Sequence, residues 1–286
     1  MTMRIRFWGV RGSVPSPGPD TAEVGGNTSC VEVVLGNGRD EQRIVLDAGT
    51  GLRGLGQALA RKGPVEATVL LSHVHWDHIQ GVPFFGPLYS ESTRLRFVAG
   101  AFGGSLEGAL HAQMRTPHFP VDLSHVPSQL QFETHRDGAR IEVGESVVTL
   151  RKANHPDAVY AYRIDYAGRS IVYATDTEHY ACLDPRLVAL ARGADVLVYD
   201  AQYLPEEYDG RMGFSRVGWG HSTWTAGCEL ARAADVGQLV LFHHDPTRSD
   251  ADVCAIETLA RHSFQETIAA REGLEIALGA AISSAA

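Results

Sequence analysis

The stretch Val69-Leu-Leu-Ser-His73-Val-His75-Trp-Asp77-His78-Ile-Gln-Gly81 constrains this chain more than any other. An apolar run of strand length passes directly into a polar turn that carries three imidazoles and a carboxylate. Such a run belongs inside a sheet. A turn at its end has a rigid base from which to aim several side chains into one cavity. Imidazole nitrogen and carboxylate oxygen together suit Zn²⁺, Mn²⁺ or Fe²⁺. A solitary His is ordinarily a structural residue, whereas this crowd of His73, His75, Asp77 and His78 implies a cation.

Three more polar residues stand just past apolar strand patterns. His155 follows Val147–Lys152, Asp176 follows Ser170–Ala174, and His243 follows Leu239–Phe242. Each alone also reads as a turn His before Pro, a helix cap or a strand-end His. Their shared placement makes them a set. His244 should face the opposite way from His243 if the strand geometry continues.

Strand patterns lead each half of the chain. The first has Arg4–Trp8, Val31–Leu35, Arg43–Leu46, Ala67–Leu71 and Leu95–Val98, with helical patterns at Leu52–Arg61 and at about 80–89 and 104–114. The second has Leu130–Phe132, Ser146–Arg151, Tyr160–Asp165, Ser170–Ala174, Val196–Tyr199 and Gln238–Phe242. Helices are expected there at Pro185–Arg192, Thr223–Ala234 and about Asp250 to Ala270. This order predicts an α/β fold, an αββα sandwich of two packed mixed β-sheets flanked by helices. Residues 1–286 read as one domain, with a lid insertion over the cleft at about 100–128.

Composition narrows the function. The 286 residues are 44% hydrophobic and 21% charged, with a net charge of −9 and no basic run. A protein that neutralises many phosphates needs a positive surface, so a long nucleic-acid partner is not expected. Small anionic substrates are compatible, because bound cations reverse the local sign. No apolar run reaches the roughly 18 residues of a membrane span, and no signal-peptide pattern opens the chain. A cytoplasmic enzyme is the expectation, and a homodimer is allowed. The four cysteines, Cys30, Cys182, Cys228 and Cys254, form no Cys-x-x-Cys pair and read as buried free thiols. Gly9, Gly12, Gly25 and Gly26 fit neither a P-loop nor a dinucleotide fingerprint, and read as a close backbone approach beneath the metal site.

The His73–His78 segment resembles the His-x-His-x-Asp-His signature of the metallo-β-lactamase superfamily, and the likeness extends to the ribonuclease Z-like phosphodiesterase branch. Phe7-Trp-Gly9-Val-Arg-Gly12-Ser13-Val-Pro15 resembles that branch's opening strand and turn. Asn27-Thr-Ser29 resembles its next turn, and Leu46-Asp47-Ala-Gly49-Thr-Gly51 its Asp-x-Gly element. Tyr199-Asp200-Ala201-Gln-Tyr203 is similar to a His-Glu-Ala-Thr motif, and His221-Ser222-Thr223 to a His-Ser-Thr motif.

The resemblance implies two divalent metal ions, Zn²⁺ or Mn²⁺, with Fe²⁺ as an alternative. His73, His75 and His155 would hold one, Asp77, His78 and His243 the other, and Asp176 would bridge them. A hydroxide between the metals would be the nucleophile, His221 would donate to the substrate, and Asp77 would shuttle a proton. Asp47 and Asp200 are expected to orient ligand imidazoles; Asn27, Ser29, His118 and Phe119 are candidates for support or substrate contact. Two departures bear on substrate. Only 20 residues separate His155 from Asp176, room for a hairpin rather than the arm with which ribonuclease Z grips tRNA. Tyr199 and Asp200 replace the motif's His and Glu, which alters the relay behind the metals.

The expected function is therefore a dinuclear metal-dependent hydrolase, a phosphodiesterase for a cyclic nucleotide or other cyclic phosphate. An ester, lactone or thioester hydrolase, a short-RNA nuclease and a non-catalytic metal sensor are the alternatives, since the fold alone does not choose.

Overall fold

In the computed structural model, residues 2–38 and 41–279 are described. Alternation of apolar residues in the strands decides the layers. In β1 (Met3–Gly9), β2 (Cys30–Leu35) and β3 (Gln42–Leu46), side chains such as Phe7, Val33 and Ile44 point to a shared interior. The same holds for Leu70 in β4 (Glu66–Leu71), whose neighbours Val69 and Leu71 point the other way, under helices.

The first half continues through the helices α1 (Gly51–Ala60) and α2 (Trp76–Ile79), strand β5 (Arg94–Gly100), helix α3 (Leu106–Gln113) and strand β6 (Gln129–His135). Next come β7 (Arg140–Val143), β8 (Ser146–Lys152), β9 (Tyr160–Tyr166), β10 (Arg169–Ala174), α4 (Pro185–Ala191) and β11 (Val196–Asp200). The chain finishes with α5 (Pro205–Tyr208), α6 (Trp224–Ala233), β12 (Gln238–Phe242), α7 (Asp250–Ser263), β13 (Thr267–Ala269) and β14 (Glu275–Leu278).

The strands form two seven-stranded sheets, in the orders β14-β1-β2-β3-β4-β5-β6 and β13-β12-β11-β10-β9-β8-β7. Both are mixed: β3 to β6 run parallel, as do β10 to β13, and the remaining pairs are antiparallel. One core lies between the sheets, with Phe7 and Leu70 facing Leu150, Tyr162 and Phe242. Two more lie outside, where Leu52 and Leu55 of α1 cover the first sheet and Leu190 and Leu230 cover the second. This is the expected αββα sandwich.

Local expectations fail where proline or a short strand intervenes. The helix expected at 80–89 is instead two 3₁₀ turns, Val82–Phe84 and Gly86–Tyr89, each with a proline near its start. The last helix begins at a Ser249/Asp252 capping box but stops at Ser263. Thr267–Ala269 then pairs with β12, and Glu275–Leu278 pairs with β1. These two short strands and β7 have too little sequence to display a period. Cys30 and Cys228 are buried as expected, while Cys182 and Cys254 are exposed. No helix among the described residues is long and apolar enough to cross a membrane.

The site is positioned by one edge of the sandwich. The ends of β3, β4, β8, β10, β11 and β12 deliver Asp47, His73, His155, Asp176, Asp200 and His243. Tyr162 clamps the two sheets there by donating its hydroxyl to the Leu71 carbonyl at 2.6 Å, and the Tyr160 amide donates to the Ser72 carbonyl at 2.9 Å.

Candidate metal centre

The seven residues expected as ligands converge in two groups. Ligand atoms of His73, His75 and His155 lie within 4.8 Å of one another, as do those of Asp77, His78, Asp176 and His243. His155 Nε2 is 3.4 Å from His75 Nδ1. Asp77 Oδ2 is 3.1 Å from His78 Nε2 and 3.3 Å from His243 Nε2. Asp176 joins the groups: its Oδ1 is 3.2 Å from both His78 Nε2 and His243 Nε2, and its Oδ2 is 3.8 Å from His73 Nε2.

The donor set fits divalent cations on two further observations. The Nε2 atoms of His73 and His78 are buried without a hydrogen-bond partner, an expensive arrangement that a bound cation satisfies. Each ligand ring is also held from behind, as metal-binding imidazoles are. Ser72 Oγ lies 3.0 Å from His73 Nδ1, and Asp47 Oδ2 lies 2.7 Å from His78 Nδ1. Asp157 holds His75 Nε2 at 2.9 Å, the Gly220 carbonyl faces His155 Nδ1 at 3.0 Å, and Gln202 Oε1 faces His243 Nδ1 at 3.0 Å.

Electrostatics follow from this crowding. Burial and the neighbouring His78 push the His73 imidazole well below its ordinary pKa, towards the neutral, ligating form. Burial alone would raise the Asp77 and Asp176 carboxyls. Surrounding imidazoles, chiefly His78 for Asp77 and His243 for Asp176, override it and hold both carboxylates ionised. Burial lowers His78, but Asp176, Asp77 and Asp47 outweigh it and favour a proton on that ring, which a cation would replace.

Asp47, Asp176 and His243 all adopt left-handed backbone, with φ of 59°, 50° and 59°. For non-glycine residues this conformation is costly, by about 1 kcal/mol or more each. It turns the side chain immediately after a strand back into the cluster. Glycines supply room elsewhere. A Cβ on Gly12 would lie 2.4 Å from the His243 ring, and the next residue, Ser13, donates its amide to Asp77 Oδ2 at 2.8 Å. The opening glycine turn therefore presses against the cluster, as its residues suggested.

His221 sits beside the second group. Its ring stacks on His243 with centroids 5.0 Å apart, and its Nδ1 is 2.9 Å from Asp200 Oδ2. Burial opposes protonation, but Asp200, followed by Asp176 and Asp77, carries the imidazolium pKa up to about 9. Asp200 Oδ1 accepts the amides of Gln202 and Ser222 at 3.1 Å each, so this carboxylate orients its neighbours; with Asp176, His221 and His243 it also forms a third group whose ligand atoms lie within 4.8 Å of one another. A cleft of about 320 Å³ opens next to His221, walled in part by Ser13, Tyr203, Arg216 and Trp219. A larger hollow of about 600 Å³, lined by Glu66, Arg94 and Gln129, lies at the opposite ends of the first sheet's strands and includes none of the cluster.

Four candidates for support or substrate contact make no hydrogen bond to the ligand cluster. Asn27 gives its amide and side chain to Glu272, at 2.6 and 2.9 Å. Its carbonyl accepts from Val10 and Arg11, so it shapes the glycine turn from behind. The Ser29 hydroxyl is buried without a partner. His118 is exposed, and Phe119 packs edge-on against Phe84 at 5.7 Å. Among the described residues none of the four hydrogen-bonds to the cluster. His244 does turn away, its Nε2 facing the Ala270 carbonyl at 3.0 Å.

Sequence reasoning missed Gln202, Asp157 and Glu178. The last is buried and accepts from the Gly218 and Gly220 amides at 2.7 and 2.9 Å and from Tyr208 at 2.7 Å. Its place two residues past Asp176 was the available signal.

Comparison with known proteins agrees with this geometry. The model of the β-lactamase superfamily domain matches residues 42–244, and the chain belongs to that superfamily. An uncharacterised protein of Mycobacterium leprae, ML1173, is 30% identical over 274 residues, spanning 88% of this chain and 81% of its own. Ribonuclease Z of Archaeoglobus fulgidus is 24% identical over 324 residues, spanning 96% and 98%. The crystal structure of a diphosphatase from the PhnP family superposes with a TM-score of 0.67 at 18% identity, covering 98% of this chain and all of that one. The fold, the superfamily and a His/Asp cluster suited to metal ions define a metallo-hydrolase.

Proposed function

We propose that this protein is a dinuclear metal-dependent phosphodiesterase whose substrate is small and anionic, a cyclic nucleotide or another cyclic phosphate. The observation that carries the reading is His221. Asp200 Oδ2 lies 2.9 Å from its Nδ1 and favours a proton on the ring, which stands at the boundary between the ligand cluster and the cleft. A cation of that kind serves a reaction that builds charge on phosphoryl oxygens and on a departing alkoxide. The likeness to a ribonuclease Z and to a diphosphatase supports phosphoryl chemistry over lactone or β-lactam hydrolysis.

His73, His75 and His155 would hold one cation, and Asp77, His78 and His243 the other, with Asp176 between. Bound there, the cations would acidify a water and polarise the phosphoryl group. Asp77, held ionised, takes up the proton of the attacking water. His221 donates from Nε2 to a phosphoryl oxygen or the leaving alkoxide, while Asp200 holds Nδ1 and fixes the ring. The short β9–β10 hairpin between His155 and Asp176 and the net charge of −9 favour a small substrate over a folded RNA.

The test is chelation followed by reconstitution with Zn²⁺, Mn²⁺ or Fe²⁺, assayed on bis(p-nitrophenyl) phosphate, 2′,3′- and 3′,5′-cyclic nucleotides, a lactone and a β-lactam. Phosphodiester turnover that chelators abolish, that a metal restores and that His75→Ala lacks is the expected result. Lactone or β-lactam hydrolysis in the absence of diester turnover would replace this reading.

A further inference from the structure

The loop between Tyr208 and His221 forms one wall of the cleft; of its two arginines, Arg211 pairs with Asp209 and Glu206, while Arg216 has no acidic partner. Arg216 is half-buried, and its guanidinium carbon lies 5.1 Å from the ring centroids of Tyr203, Phe214 and Trp219. Among the described residues no carboxylate comes within ion-pair distance of it, in a chain with nine more acidic than basic side chains. The two acids of the same cleft are already engaged: Glu207 pairs with Arg248, and Asp245 accepts from Thr247.

The loop is also fixed in place. Glu178 accepts from Gly218 and Gly220, the Arg216 amide donates to the Tyr208 carbonyl at 3.0 Å, and the Phe214 and Trp219 rings pack 5.6 Å apart. Three aromatic rings surround the guanidinium, one of its donors is directed to the Tyr203 hydroxyl, and among the described residues no carboxylate takes the others. One aromatic ring separates Arg216 from the reaction side: Tyr203 lies edge-on to His221, with centroids 5.7 Å apart.

We infer that Arg216 is a specificity-determining subsite for a second anionic group on the substrate, a phosphate monoester one sugar-sized unit from the scissile diester. Resting on the phosphodiesterase reading, this names the substrate class within it: diesters that carry an additional terminal phosphate. A fork of donors on a preorganised loop binds such an oxyanion bidentately. Trp219, 49% exposed beside it, offers a face for the intervening sugar or base.

A chromogenic pair isolates the second charge: thymidine 5′-(p-nitrophenyl phosphate) with and without a 3′-phosphate. The reconstituted wild-type enzyme should prefer the 3′-phosphorylated form by about tenfold in kcat/KM, mostly through KM, as expected for one charge-assisted contact. In Arg216→Gln that preference should collapse towards unity, and Arg216→Lys should keep part of it. A wild-type enzyme indifferent to the 3′-phosphate, or a preference that survives in Arg216→Gln, overturns the subsite. A variant in which both substrates slow equally assigns Arg216 to loop structure only and also overturns it.

A binding measurement separates this outcome from failure of the diesterase reading. Tryptophan fluorescence of chelator-treated protein is titrated with thymidine 3′,5′-bisphosphate and with thymidine 5′-monophosphate. Tighter binding of the bisphosphate, lost in Arg216→Gln, upholds the subsite even if no diester is cleaved. Equal binding of the two nucleotides rejects it even if diesters are cleaved.

Discussion

Asp47 Oδ2 lies 2.7 Å from His78 Nδ1 and accepts the Tyr173 hydroxyl at 2.8 Å, deep beneath the ligand cluster. Its Oδ1 accepts the Ser72 amide at 2.7 Å. One buried carboxylate thus fixes a ligand ring and the turn that carries His73. Asp47→Asn places an amide group where acceptors are needed, and should weaken metal binding by about 10–100-fold. Competition against a chelator of known affinity reads this directly. Unchanged affinity would show that His78 needs no partner behind it.

Gly12→Ala probes the approach of the opening turn. The new methyl would overlap the His243 ring, and the turn has little freedom to retreat, because the Gly12 amide donates to the His244 carbonyl at 3.0 Å. The expected outcome is an intact fold by circular dichroism, with metal content below that of the wild type and kcat/KM down by about a hundredfold. Full metal content and full activity would mean that the ring moves aside freely.

Phe119→Ala tests the lid expected over the cleft. Phe119 packs on Phe84, next to the turn after α2, and touches no ligand of the cluster by hydrogen bond. Loss of about 1–2 kcal/mol of stability in a denaturant titration, with KM unchanged, is expected from such half-buried packing. A raised KM with unaltered stability would support the lid.

Acid sensitivity can be assigned at one surface pair. Hydrogen bonds from Arg96, helped by one from His135, hold the Glu133 carboxyl at about 2 against the opposing effect of burial. The folded value is below that of the unfolded chain, about 4.3. The pair's contribution is therefore fully present above pH 4.3 and disappears as pH falls towards 2. Being partly exposed, it amounts to less than about 1 kcal/mol. The stability difference between wild type and Glu133→Gln should shrink as pH falls below about 4; a difference that still grows below that pH contradicts the sign.

Much of the centre was legible because its residues are adjacent in sequence or follow strong strands. His73 to His78 announce themselves, and Asp176 and His243 stand directly after runs that are apolar on both faces. Asp47 and Asp200 were visible for the same reason. What stayed hidden depends on partners brought from afar. Nothing local distinguishes Gln202 from any polar residue until His243 arrives against it, 41 positions later. Asn27 and Ser29 lie in the right turn, yet the Asn27 side chain is taken by Glu272 and the Ser29 hydroxyl has no partner. In the fold, the two C-terminal strands were lost for a related reason: three or four residues cannot show a period, and their pairing is decided by β12 and β1.

The fully buried Arg11 guanidinium ends in backbone carbonyls: Gly25 at 2.8 Å, Asp245 at 3.3 Å and Arg248 at 2.7 Å. It thereby rivets the opening turn to the segment that leaves His243, across more than 230 positions of chain. Neither end can complete the hydrolytic pocket before the other has docked. Fragments that divide the two sheets should be metal-poor however well each half folds, and the pocket should be among the last parts to assemble and the first to open.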